Sequence, residues 1–83
     1  MSDYYLDSSA LVKRYVNEPG SAWVRQITDL FSENTILLAE ISLAEVAAAL
    51  SAKSRATRGI TQEQRDQALS FFLRDCDEHF ILL

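Results

Sequence analysis

Short apolar runs alternate with amphipathic stretches along the 83 residues of this chain. Tyr4-Tyr5-Leu6 is an apolar, aromatic run suited to a buried strand. It gives way to Asp7-Ser8-Ser9, residue types that favour turns and helix starts. The stretch from Ala10 to Val16 predicts a short helix. Glu18-Pro19-Gly20 stops it, because proline cannot donate into a helix and glycine tolerates a reversed backbone. Ser21 is placed to cap a second helix running to about Phe31, with Trp23, Ile27, Leu30 and Phe31 along one face. Thr35-Ile36-Leu37-Leu38 predicts a second strand. A third helix starts at Ser42, with Leu43, Val46, Ala47 and Leu50 as its apolar stripe, and closes in the polar segment from Lys53 to Gly59. Thr61 and Gln64 have the spacing of a capping box and open a fourth helix, buried through Leu69, Phe72, Leu73 and Cys76. His79 to Leu83 reads as a third strand.

Strands that alternate with helices pair in parallel through right-handed crossovers, so the expected class is α/β, a three-layer parallel sheet flanked by helices. No internal repeat, low-complexity tract or linker divides the chain, and residues 1–83 read as a single domain. Three strands and four helices are half of a doubly wound sheet, so the domain is expected to be incomplete.

Composition adds constraints. The hydrophobic fraction of 48% is that of a globular core. A net charge of -4 lacks the basic surplus of a general nucleic-acid binder but does not exclude nucleic-acid chemistry, because a metal site needs carboxylates and the metal supplies positive charge; composition leaves the function open. Cys76 stands alone, which excludes an internal disulfide and leaves a thiolate zinc site unsupported. It falls on an apolar helix face as a small buried hydrophobe. No signal segment and no apolar run of membrane-spanning length is present, and the expectation is a cytoplasmic protein without a membrane partner.

The chemistry-bearing candidates are Asp7, where the first strand ends, and Glu45, in the first turn of the helix after the second strand. Functional groups of open parallel sheets gather at the carboxyl ends of the strands, so the two carboxylates are candidates to converge on one crevice. Oxygen donors of this kind suit magnesium, which is commonly held by one or two carboxylates plus waters and phosphate oxygens. Each also has a purely structural reading. Ser42-x-x-Glu45 is a capping box, and Asp7 is an N-cap for the helix that follows. Lys13, Arg14, Lys53, Arg55 and Arg58 serve either as phosphate contacts or as ordinary solvated charges. Trp23, Phe71 and Phe72 are read as core or interface, and His79, beside Phe80, as non-catalytic. Asp75, Asp77 and Glu78 precede the third strand and are not recruited to the site.

Taken together, Tyr4 to Lys13, the break at Glu18-Pro19-Gly20-Ser21, and Ile41 to Leu50 resemble PIN domains, especially the VapC-type toxins. The opening apolar strand, Asp7, the hydroxyl residues Ser8 and Ser9, and Ala10-Leu11-Val12 are similar to that family's start. The segment around Glu45 is similar to the one carrying its second acidic residue. The last third of the chain matches in pattern only. What the resemblance implies is a magnesium- or manganese-dependent endoribonuclease of toxin–antitoxin type acting on RNA. Asp7 and Glu45 would then be metal ligands, and Ser8 or Ser9 would orient Asp7. The family's remaining acidic residues lie on a later helix and after a fourth strand, and have no counterpart within residues 1–83. The expectation is therefore a PIN-like fragment that self-associates through an exposed sheet edge or helices and is a target for a small protein antitoxin. The alternative is a noncatalytic module derived from the same fold, acting in dimerisation or antitoxin binding.

Overall fold

The computed structural model describes all 83 residues. In chain order the elements are β1 (Asp3–Tyr5), α1 (Ser8–Tyr15), α2 (Ser21–Thr28), a 3-10 turn at Leu30–Ser32, β2 (Thr35–Leu38), α3 (Ser42–Arg55), α4 (Gln62–Glu78) and β3 (Ile81–Leu82). The strands form one parallel sheet in the order β1-β2-β3. Tyr5 pairs with Leu37, and Leu37 in turn with Ile81. The ladder reaches one residue past each outer strand, since Leu6 N–H donates to Leu37 O at 3.0 Å and Leu83 N–H to Leu38 O at 2.9 Å. The α/β class and parallel pairing expected from the sequence are present, with β2 central and β1 on an edge.

The layering differs from expectation. Both crossovers step in the same direction, from β1 to β2 and from β2 to β3. Right-handed crossovers with a common direction place their helices on a common face. A single core accordingly joins Leu6, Ile36, Leu38 and Phe80 of the sheet to Leu11, Val12, Ile27, Val46, Leu50 and Phe72 of the four helices. The alternate strand positions face the other way, where Tyr5 and Ile81 are exposed and Leu37 is half-buried. Two layers are formed instead of three.

Two helix faces are rotated from those the apolar spacing predicts. Helix α2 ends at Thr28 and buries Ser21, Val24, Ile27 and Thr28. Asp29 ends it by accepting Phe31 N–H at 2.8 Å, which turns Leu30 and Phe31 outward. Trp23 is likewise exposed, resting edge-on against Tyr4 at 6.2 Å between ring centroids. Helix α4 opens on the expected capping box, with Gln64 N–H to Thr61 Oγ1 at 3.0 Å and Thr61 N–H to Gln64 Oε1 at 2.8 Å. Its buried residues are Ala68, Phe72, Asp75 and Cys76, while Leu69 is half-buried and Leu73 exposed.

The cause of the second rotation is polar. Asp75 is 3% exposed and accepts Tyr15 Oη–H at 2.6 Å and Arg14 Nε–H at 3.2 Å. Arg14 also donates to Thr28 Oγ1 at 3.0 Å, and that hydroxyl donates to Val24 O at 2.7 Å. A buried carboxylate needs such partners. The network ties α1, α2 and α4 together on the side of the helices away from the starts of α1 and α3. Burial, and then the bond to Asp75, push the Tyr15 hydroxyl far above the ordinary phenol range, so it stays a proton donor. Burial also pushes the neighbouring Cys76 thiol up to about 11, as its reading as a small buried hydrophobe requires.

Candidate metal centre

Asp7 stands at the end of β1 and is the N-cap of α1. Its backbone is extended, and its Oδ1 accepts Ala10 N–H at 2.9 Å and the Ser9 hydroxyl at 3.1 Å. The capping reading of Asp7 is therefore realised, and Ser9 is the serine that orients it. Ser8 is half-buried and makes no side-chain bond to Asp7. Capping occupies only Oδ1; Oδ2 has no protein partner, and the residue is exposed. The bond from Ala10 N–H, then that from Ser9, hold the carboxyl below its usual range, with Lys13 adding a smaller attraction. An ionised carboxylate with one free oxygen is thus displayed at the rim of the sheet.

Glu45 lies in the first turn of α3, directly after β2. Its capping box is absent. The N-cap position is Ile41, in helical conformation, and no side chain caps the helix. Ser42 is buried and its N–H is taken by Ala39 O at 2.9 Å, which leaves Glu45 nothing to cap there. Glu45 is exposed and its carboxylate has no partner in any hydrogen bond or ion pair. The structural reading that competed for this residue is removed.

The two residues share one edge. β1 and β2 are neighbouring parallel strands, roughly 5 Å apart, and α1 and α3 start from their carboxyl ends and pack against each other. The donor set is two hard-oxygen carboxylates, which fits a divalent cation that keeps waters. No group of three or more His, Cys, Asp or Glu side chains is gathered to hold a metal ion.

The remaining sequence candidates are placed elsewhere. Asp77, Glu78 and His79 lie where α4 leads into β3, at the opposite edge of the sheet, and His79 Nε2 stands 3.6 Å from Glu78. Lys53 and Lys13 both meet Glu18, at 2.7 and 3.8 Å. Arg55 and Arg58 form no ion pair. Of the aromatics read as core or interface, Phe72 is fully buried, whereas Trp23 and Phe71 are exposed. The sequence carries no local signal for the buried Asp75 network, because its partners Tyr15 and Arg14 lie 60 and 61 positions away. Comparison with protein-family models, with curated proteins and with solved structures finds no match.

Proposed function

We propose that the carboxyl edge of β1 and β2 is the acidic half of a divalent-metal site, and that the chain is a PIN-like, magnesium- or manganese-dependent endoribonuclease of toxin–antitoxin type. The single observation that carries this reading is the pair Asp7 and Glu45. They lie on adjacent parallel strand-to-helix junctions, both exposed, and both have a free carboxylate oxygen. A cation held there would polarise a phosphodiester and activate water. Asp7 contributes a charge fixed in place by Ala10 N–H and Ser9, and Glu45 contributes one on a helix start. Further acidic ligands would come from a second copy or from chain outside these residues. The test is cleavage of a mixed single-stranded RNA pool with manganese or magnesium, beside Asp7→Ala and Glu45→Ala. Metal-dependent cutting lost in both variants is expected; equal cutting by the wild type and both variants would remove the assignment.

A second reading is a noncatalytic PIN-derived module for dimerisation or antitoxin binding. The row Tyr5, Leu37 and Ile81 favours it, because parallel sheets are ordinarily covered on both faces and this face is not. It predicts self-association that is lost in Tyr5→Ser with Ile81→Ser and is indifferent to Asp7 and Glu45. Light scattering on the two sets of variants separates the readings.

A further inference from the structure

Beyond the C-terminal end of α1 the chain turns through Val16 to Gly20 before α2, and this turn faces the hairpin between α3 and α4. Between them lies a cleft of about 670 Å³. It stands at the far ends of α1 and α3 from Asp7 and Glu45. Close backbone approach shapes its wall: Ile60 N–H donates to Lys53 O at 3.2 Å, and a Cβ on Gly59 would fall 1.7 Å from that same oxygen. A smaller hollow of about 380 Å³ adjoins it and shares Tyr15, Arg25 and Phe71.

Charge separates this region from the rest of the surface. Of the eight lysines and arginines, Lys13, Arg14, Lys53 and Arg65 are in ion pairs, and Arg25, Arg55, Arg58 and Arg74 are not. Three of those four, Arg25, Arg58 and Arg74, line the joined cleft. Arg25 donates only to neutral acceptors, Arg14 O and Asn17 Oδ1, both at 3.2 Å, so its charge is uncompensated. Of the carboxylates lining the joined cleft, Glu18 is paired with Lys13 and Lys53 and Asp75 with Arg14, which leaves only Asp29, with one oxygen taken by Phe31 N–H, against the three unpaired arginines. Phe71 is 43% exposed between the two hollows, with the Arg74 guanidinium 5.0 Å from its ring centroid. Gln67 is exposed beside them.

Unpaired guanidinium groups bind phosphate oxygens bidentately, and an exposed aromatic ring next to them offers a stacking face to a planar base. We infer that this cleft binds a nucleotide unit, a phosphate carried on a planar base, with Arg58 and Arg25 on the phosphate and Phe71 with Arg74 against the ring. The site is separate from Asp7 and Glu45 and does not depend on the metal reading. A free nucleotide and one unit of a single-stranded RNA supply the same chemistry.

The experiment is calorimetric titration of the full chain at low salt, with EDTA present so that the carboxyl edge contributes no metal-mediated binding. The probes are adenosine monophosphate, inorganic phosphate, adenosine, and a 2′-O-methyl RNA heptamer. Saturable binding of the monophosphate or the heptamer is expected. Arg58→Gln should weaken it about tenfold or more, and Phe71→Leu by roughly five- to a hundredfold. Arg55→Gln, which removes an unpaired arginine outside the cleft, should leave it within about twofold. The heptamer binding far more tightly than the monophosphate identifies a strand, and equal affinity identifies a free nucleotide. Three results would overturn the inference: no saturable binding by protein that circular dichroism shows folded, inorganic phosphate binding as well as the nucleotide, or affinity unchanged in Arg58→Gln.

Discussion

Asp7 and Asp75 are the same residue type in opposite circumstances. Asp75 is buried at the end of α4, and its charge is committed to Arg14 and Tyr15. Asp7 is exposed at the end of β1, held in orientation by one oxygen and free at the other. The first carboxylate joins three helices; the second, with Glu45, is available to an external cation. What distinguishes a structural acid from a candidate ligand here is the number of partners its fold supplies, which neither residue type nor position in the chain reveals.

The largest expected effect is at Asp75. Asp75→Ala leaves the partly buried Arg14 guanidinium without its counter-ion and the half-buried Tyr15 hydroxyl without its acceptor, and should destabilise the domain by about 3 kcal/mol in urea unfolding. Arg14 retains some exposure, which keeps the loss at the low end for a broken pair. A loss below about 1 kcal/mol would show that the network contributes little. Asp7→Ala removes a helix N-cap and should cost about 1 kcal/mol by the same measurement, with metal affinity lost in addition.

Acid titration sharpens the contrast at Asp7. Its folded carboxyl is held below the ordinary value of 3.8, so its stabilising contribution is complete above that pH. The contribution is lost as pH falls through the lower, folded value. Wild type and Asp7→Asn should therefore converge in stability below about pH 4. A difference that persists undiminished at pH 2 would contradict the assignment. The smallest effect belongs to Glu45→Gln. With no partner to lose, it should change stability by less than about 0.5 kcal/mol, while removing metal binding. A larger loss would indicate a structural contact for Glu45.

Strands, helices and parallel pairing were legible because apolar runs and turn residues punctuate the chain at regular intervals. Asp7 was legible as both cap and candidate ligand, and it caps. The Ser42–Glu45 box was not decidable from spacing, because whether a serine caps depends on its backbone conformation, and here Ile41 precedes the helix already in helical geometry. The faces of α2 and α4 differ from the apolar spacing for a related reason. Apolar spacing assigns burial to Trp23 and Leu73, whereas a buried Asp75 and the early stop at Asp29 rotate both helices. Polar partners across sequence separations as long as Arg14 to Asp75 leave no local trace. The open sheet face follows from two crossovers in one direction, a property of strand order that periodicity does not contain.

On the proposed function, Asp7 and Glu45 face one cation. Manganese broadening of backbone amide resonances tests it most directly, because the effect falls steeply with distance from the ion. At low manganese, the account predicts that signals of Ser8 to Ala10 and of Leu43 to Val46 broaden first and together, and that Asp7→Asn abolishes both sets. Broadening at only one of the two junctions, or preferential broadening around Asp66, Asp77 and Glu78, would contradict it.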